Sequence, residues 1–491
     1  MNIAITIVAF FWALRILRNI LSYAQLWYVK EYRLDRMLIH LRTDQGKRIF
    51  NPSFRRPPIS PKSVVLVGVT FIAFSVFVYS FSAPIFLSLL ITDLLLFPCM
   101  GFFVFILNMP TFMYHSLLIS LAVSKLRSHG KMVCIGITGS YGKTSTKEYL
   151  ATILEQSDTV LKTAASKNSP IAIAELVLHN LKPSHRIFIV EMGAYKEGEI
   201  AQMCRMVLPE IGIVTAINEQ HQDLFGNIET TMKAKYELIS SLSGKKIAIM
   251  NADNPYVFAM AEQAKKDGVD VWCYTKDVKK KFSFGHVFYI RNIHESVDKL
   301  RFTILYKKKS YDVSAPVIGA FQAQNITAAI AGSIAGGMEI IDAVEACNSL
   351  QSVPKMMQKL DGIHGSIYIN DTFNNNPDAA CAALEYLRIG EERKILVFQP
   401  MIELGSFSQV AHERVGKLAG EVCDEILLTN TNFRTPFLQG VKLSGGNARV
   451  FVLDSNKAQK FLRNYLHAGD MVLFKGKEAQ SVITLLEEKS L

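Results

Sequence analysis

Three long apolar stretches occupy the first quarter of the chain, and from about Gly130 they give way to short apolar runs alternating with segments of helical periodicity. Val64 to Ser82 and Ile85 to Leu107 are each near the roughly 20 residues that cross a bilayer. The Ser82-Ala-Pro84 linker between them carries no charge, so the pair predicts a tight transmembrane hairpin. The first stretch, Ile3 to Val29, is interrupted by Arg15 and Arg18. It is either a third span with its N-terminus outside or a helix lying in the interface, and the span is preferred. Basic residues follow it and no small-x-small site does, which argues against a cleavable signal peptide. Asp93, in the second clear span, is assigned no role.

Beyond Gly130 the alternation predicts α/β domains built on parallel sheets. Strands are expected at Val133–Thr138, Ile187–Glu191, Ile211–Ala216, Ile247–Asn251, Ile367–Asn370, Ile395–Gln399, Glu425–Leu428 and Met471–Phe474. Between Val271 and Val317 the pattern suggests antiparallel strands appended to the first sheet, with a helix around Asn325–Gly336 closing that domain. Ser352-Val-Pro354 reads as a hinge. The expected division is a membrane region at 1–129, a P-loop parallel-sheet ATPase domain at 130–352 and a Rossmann-like α/β domain at 353–491. No internal repeat or low-complexity segment is evident.

Composition supports the membrane region: 49 % of the 491 residues are hydrophobic and mean hydropathy is +0.19. The net charge of +11 does not point to nucleic acid, because much of the excess lies between Lys30 and Lys62. There Lys/Arg at 30, 33, 36, 42, 47, 48, 55, 56 and 62 face only Glu31, Asp35 and Asp44. By the positive-inside rule this loop is cytoplasmic. Two crossings from that loop return the chain to the cytoplasm after about Asn108 and put the Ser82–Pro84 turn outside. The expected location is the inner or plasma membrane. The seven cysteines are scattered and form no CxxC pair, so neither a zinc site nor a disulfide framework is suggested.

Gly136-Ile-Thr-Gly-Ser-Tyr-Gly-Lys-Thr-Ser-Thr146 carries the clearest chemistry, standing between an apolar strand and a helix start. Gly139 and Gly142 let backbone N–H groups approach phosphate oxygens and Ser140 and Ser145 flank the cradle. Lys143 reaches the terminal phosphates, and the Thr144 hydroxyl can ligate Mg²⁺. The ligand is read as ATP. Glu191 ends a strand where open α/β sheets bind their ligands, a natural Mg²⁺ position; His221 lies just past another strand and Lys235 in a later helix. Individually, each of these three is more often a cap, a solvated loop residue or a surface lysine.

Their order resembles the Mur ligase superfamily over 130–491. The matching blocks are Thr138–Ser145; Glu191-Met-Gly-Ala194 with Gly198-Glu-Ile200; His221, Gly226 and Ala234–Glu237; and Asn251-Ala-Asp-Asn-Pro255. The second unit adds Asp371-Thr-Phe-Asn-Asn-Asn-Pro-Asp378, Met401-Ile-Glu-Leu-Gly405 with His412, and Gly469–Lys477. These are most similar to the D-alanyl-D-alanine-adding branch of peptidoglycan precursor synthesis.

The resemblance implies an ATP-dependent amide ligase that passes through an acyl phosphate. Lys143 would hold the terminal phosphates and Thr144 one Mg²⁺, with Glu191 and His221 in the shell of a second. Lys235 would be carbamylated by CO₂, turning an ammonium that Mg²⁺ would repel into an anionic oxygen ligand. Asn325 would contact the adenine side and Asp371 the ribose, while Asn374, Asn376 and Lys475 would lie near the incoming amine. Read as a turn instead, Asn374–Pro377 simply precedes a helix with Asp378 near its N-cap.

The chain also departs from the family. Phe321 replaces a His, Asn370-Asp371 replaces a doubled Asp, and Pro354-Lys-Met-Met357 lacks the usual Arg unless Lys355 substitutes. The membrane region stands where the family has a UDP-gripping domain, which suggests a small-molecule or lipid-linked carboxylate met at the membrane, joined to an amino acid or dipeptide. A ligase of the same chemistry making a poly-γ-glutamate-like capsule, and a catalytically silent nucleotide-binding scaffold, are the competing readings.

Overall fold

The computed structural model describes residues 3–41, 54–81, 84–164, 167–194, 196–218, 228–402 and 404–487. The chain divides into two compact units, Met1–Ser120 and Leu121–Leu491.

In the first unit the helices Ile3–Val29, Pro61–Ser80 and Ile85–Ser128 are each long and apolar enough to cross a membrane. Ser60 starts the second with a capping box and Pro61 at its first turn, where a missing N–H costs nothing. The helices share a core of Ile16, Ile20, Tyr23, Trp27, Leu66, Leu96 and Met100. Trp27 stacks on Phe97 at 6.3 Å. Arg15, which weakened the first stretch as a span, pairs with Asp93 at 3.1 Å. Trp12 Nε1 and Asn19 Nδ2 donate to the same carboxylate at 3.4 and 3.3 Å. Such pairing is what a charge in an apolar bundle requires. The third helix differs from expectation: it runs on through Pro98 and Pro110 to Ser128 instead of ending near Leu107.

The second unit contains two sheets, with strands numbered in chain order. The first has β1 (Val133–Thr138), β2 (Val160–Lys162), β3 (Ile187–Glu191), β4 (Ile211–Val214), β5 (Ile247–Asn251), β6 (Asp270–Thr275), β7 (His286–Glu295), β8 (Leu300–Tyr306) and β9 (Lys309–Ala315). Their spatial order is β2-β3-β1-β4-β5-β6-β7-β8-β9. Pairing is parallel from β2 to β7 and antiparallel from β7 to β9, as the alternation in that segment implied. β3 and β4, fully buried, and β1, buried from Cys134 on, are rich in Ile and Val, the composition of a sheet covered on both faces.

The second sheet has β10 (Gln358–Asp361), β11 (Ile367–Asp371), β12 (Lys394–Phe398), β13 (Glu425–Leu428), β14 (Arg449–Val452) and β15 (Met471–Lys475). Its order is β10-β11-β15-β12-β13-β14, with β10 antiparallel at the edge. The mixed α/β class with parallel sheets and apolar N-terminal helices agrees with the sequence reading.

Because Asp93 neutralises Arg15, Asp93→Asn should strip the unit of folded protein recoverable in mild detergent, since the arginine would remain without its counter-charge. The double variant Arg15→Leu/Asp93→Leu should restore recovery, read as the monodisperse peak in size-exclusion chromatography. A double variant no better than the single one would refute this role.

Candidate nucleotide and metal site

β1 ends at Thr138 and the helix Lys143–Leu154 begins four residues after Gly139, so the loop between them turns tightly. Gly139 (φ +150°) and Gly142 (φ +82°) occupy backbone conformations that side chains disfavour. A Cβ on Gly139 would collide with the Thr215 hydroxyl, and one on Gly142 would sit 2.7 Å from Asn325 Oδ1. The loop is braced by the segment after β4. Ser140 N donates to Ala216 O at 2.6 Å, Thr215 Oγ1 to Tyr141 O at 2.5 Å, and Asn218 N to Ser140 Oγ at 3.2 Å.

Two lysines converge on one carbonyl. Lys143 Nζ donates to Gly139 O at 2.8 Å and Ser140 O at 3.2 Å, and Lys235 Nζ donates to Gly139 O at 3.1 Å. Lys235 comes from the helix Ile228–Ser240, whose buried face turns it toward β1. Burial, and then the neighbouring Lys143 charge, push Lys235 down to about 7. Burial also lowers Lys143, opposed by the attraction of Glu191.

Behind them Thr144 Oγ1 donates to Glu191 Oε2 at 3.0 Å. Glu191, the last residue of β3, also receives Asn168 Nδ2 at 3.4 Å. Fully buried Lys147 lies 3.4 Å from Glu191 Oε2 and 3.1 Å from Glu148 Oε1, and Lys162 closes the row 2.8 Å from Glu148. A hydroxyl and a carboxylate in contact at a helix start form a hard oxygen pair suited to Mg²⁺, so the residues present fit the implied ion. Among the described residues no group of three His, Cys, Asp or Glu clusters to hold a metal. His221 and Gly226 lie outside the described residues.

Asn325 abuts the loop, with its Nδ2 on Gln322 Oε1 at 2.8 Å. Across the unit Lys475 Nζ donates to Asp371 Oδ2, and Met357 N to Asp371 Oδ1 at 3.3 Å. Asn374 is exposed. Asn376, not Asp378, is the N-cap of the helix Pro377–Leu387, its Oδ1 taking Ala379 N at 2.9 Å. Asp378 instead accepts from Asn218 Nδ2 at 3.3 Å and pairs with Arg414 at 3.1 Å. His412 is fully buried and holds Met401 N at 2.9 Å, a packing position. The structure thus gathers Gly139, Ser140, Gly142, Lys143, Thr144, Glu191, Lys235 and Asn325 in one place. Asp371 and Lys475 form a second pair, and Asn374 makes no contact with either group. Lys147, Asn168, Thr215 and Asn218 were not anticipated. Only Lys147 left a trace, standing one helical turn after Lys143 on the same face.

A P-loop on a parallel sheet, followed by a second α/β sheet, defines a two-domain nucleotide-binding protein. Residues 137–332 match the Mur ligase middle domain and residues 357–478 the family described as "Mur ligase, glutamate ligase domain". The chain thus carries the Mur ligase middle and C-terminal domains. It is similar to UDP-N-acetylmuramoyl-tripeptide--D-alanyl-D-alanine ligase of Escherichia coli, with 32 % identity over 58 % of this chain and 61 % of that protein. It therefore spans less than two thirds of that relative's length. The protein of the same name from Bacillus subtilis is 25 % identical over 75 % of this chain and 78 % of its own. In fold it resembles MurF from Acinetobacter baumannii, with TM-score 0.67 and 24 % identity over 76 % of this chain and 80 % of that one. It also resembles MurF ligase from Thermotoga maritima in complex with ADP, with TM-score 0.66 and 23 % identity over 76 % and 84 % of the two chains.

A side chain at Gly142 costs about 1–2 kcal/mol for the left-handed backbone alone, so Gly142→Ala should weaken ATP binding by about tenfold or more. Isothermal titration of the purified protein checks this, and wild-type affinity would show that the loop does not need its glycine.

Proposed function

We propose that this protein is a membrane-anchored ATP-dependent carboxylate–amine ligase of peptidoglycan precursor synthesis, adding D-alanyl-D-alanine to a muramoyl tripeptide and releasing ADP and phosphate. The observation that carries this reading is the pair of lysines on the Gly139 carbonyl. Lys143 there offers a cation to the terminal phosphates while the buried Lys235 beside it readily gives up its proton and can take CO₂, and relatives similar to this chain bear that ligase's name. The division at 1–129, 130–352 and 353–491 belongs to the same reading, with three spans formed by the apolar helices and both sheet domains on the cytoplasmic side.

Lys143 offsets charge on the transferring phosphoryl group as the substrate carboxylate attacks it, which breaks the bond to ADP and yields an acyl phosphate. The amine then attacks the acyl carbon, phosphate leaves, and the amide remains. Thr144 would hold one Mg²⁺, with Glu191 and His221 in the shell of a second, and the ions would supply charge neutralisation along the phosphates. Lys235, as a carbamate, would add an anionic oxygen. Asn325 and Asp371 would bracket the nucleoside. Asn374, Asn376 and Lys475 would meet the amine, a role supported for Asn376 by a buried Nδ2 that has no partner. The second domain would exclude water from the acyl phosphate. Membrane attachment suits a carboxylate substrate carried on a lipid at the inner leaflet as well as one in solution.

Purified protein in nanodiscs, given ATP, Mg²⁺ and the tripeptide in UDP-linked or lipid-linked form, should release ADP faster with D-alanyl-D-alanine than with L-glutamate. Lys143→Ala should abolish the difference. Preference for glutamate would replace this reading with the capsule-type one, and no amine-dependent release with either would favour the silent scaffold.

The lowered proton affinity of Lys235 sets a pH dependence. An ordinary lysine near 10.5 is almost wholly protonated at neutral pH, whereas at about 7 half of Lys235 is a free amine able to take CO₂. With ¹³C-bicarbonate a carbamate resonance should therefore grow as pH rises through about 7, fade below it, and be missing in Lys235→Met. A signal independent of pH between 6 and 8 would contradict the assignment.

A further inference from the structure

The helix Ile85–Ser128 is too long for a single crossing. Its 44 residues measure ~66 Å at 1.5 Å each, roughly twice the ~30 Å hydrocarbon core. Side chains mark where it leaves that core. Lys62 Nζ donates to Asn108 Oδ1 at 3.2 Å and to Thr111 Oγ1 at 3.5 Å, Asn108 Nδ2 donates to Tyr32 O at 2.8 Å, and the Lys62 ammonium stands 5.9 Å from the Tyr32 ring. Lys30 and Arg33 adjoin Tyr32 in the chain. Tyr32, just past the end of the first helix, and Lys62, at the start of the second, thus meet Asn108 midway along the third in a polar collar of the kind found at a membrane–water boundary.

The chain beyond the collar stays apolar. From Met109 to Ser124 the helix has no charged residue. Phe112, Met113, Tyr114, Leu117 and Leu121 are 60 %, 70 %, 57 %, 56 % and 48 % exposed. Phe112, Met113 and Tyr114 are consecutive, so at 100° per residue they point in different directions, and no single protein face could cover all three. Exposed Ser116, Ser120 and Ser124 line one strip of the helix and bulky apolar side chains most of the rest, an amphipathic surface suited to a membrane boundary rather than to water. Holding the whole straight helix within the core would need a tilt of about 60°, well beyond the usual 0–40°. Pro110 supplies an alternative, since it has no N–H to donate and its ring strains the preceding turn.

We propose that the helix bends at Pro110 and that Thr111–Ser124 lies along the cytoplasmic leaflet, at the headgroup–acyl boundary, with lipid as its partner. The segment is a second, monotopic attachment to the bilayer. This rests on the membrane-spanning reading above, and the test separates the two.

Full-length protein carrying a photoreactive diazirine side chain at Met113, Leu117 or Leu121 is irradiated in native membranes, and the labelled peptides are weighed. Leu94, 54 % exposed within the span, and Ile341, 67 % exposed on the catalytic unit, serve as references. The expected result is phospholipid adducts at 94, 113, 117 and 121 and water insertion at 341. Lipid adducts at 94 with water insertion or protein cross-links at 113, 117 and 121 would overturn the interfacial segment alone. Loss of lipid adducts at 94 as well would overturn the spanning reading beneath it.

Discussion

The carbonyl oxygen of Gly139 is the point on which the nucleotide site depends. It accepts from Lys143 at 2.8 Å and from Lys235 at 3.1 Å, so two buried ammonium groups share one partial negative charge. Such an arrangement is poor for two cations at rest: burial and then the Lys143 charge push Lys235 down, whereas Lys143 is lowered by burial and supported by Glu191. Phosphate oxygens relieve it, because an oxyanion satisfies Lys143 far better than a peptide carbonyl does and a Lys235 that has lost its proton no longer competes. The glycine is obligatory, since the Thr215 hydroxyl occupies the space a Cβ would need. The segment after β4 therefore dictates the loop as much as the loop's own residues do.

A second constraint ties the two domains of the catalytic unit. Asp371 and Lys475 are register partners at the ends of β11 and β15, so their ion pair follows from strand pairing alone. Met357 N donates to the same carboxylate, which fixes the hinge to the second sheet. The preceding Met356 receives Ser145 Oγ at 3.7 Å, so the hinge also touches the helix that starts the phosphate loop. Asn218 makes the other link, binding Ser140 on one side and Asp378 on the other. A shift in the phosphate loop thus has two short routes to the second domain.

Most of the fold was legible because parallel strands buried on both faces are continuous Ile/Val runs. The glycine turn, the strand-end Glu191 and helical Lys235 were legible because motif and order fix them. Three features were not. The continuation of the third helix to Ser128 was hidden because Pro110 reads as a terminator, whereas a helix can run through a proline when neighbours and lipid tolerate the bend. The cap itself, Asn376, was not singled out, because Asn and Asp both cap and only the backbone angles decide between them. The pairing of Arg15 with Asp93 joins residues far apart in sequence, and neither position alone announces the other.

The charges around the loop divide into two halves with different tasks. At the rear, Lys147, Glu191, Glu148 and Lys162 form a row with equal numbers of each sign, every neighbour within 3.4 Å. Burial alone would raise the proton affinity of Glu148, but hydrogen bonding to Lys162 and the charges of Lys147 and Lys162 outweigh it and hold the carboxyl below its usual range. That balance fixes Glu191 in place without adding net charge. At the front, Lys143 and Lys235 carry an uncompensated excess. A uniformly positive cleft would attract a polyanion but repel a divalent cation, and a neutral one would hold neither firmly. With the carboxylate anchored behind and the Lys143 ammonium ahead, phosphate and Mg²⁺ each meet opposite charge within one loop.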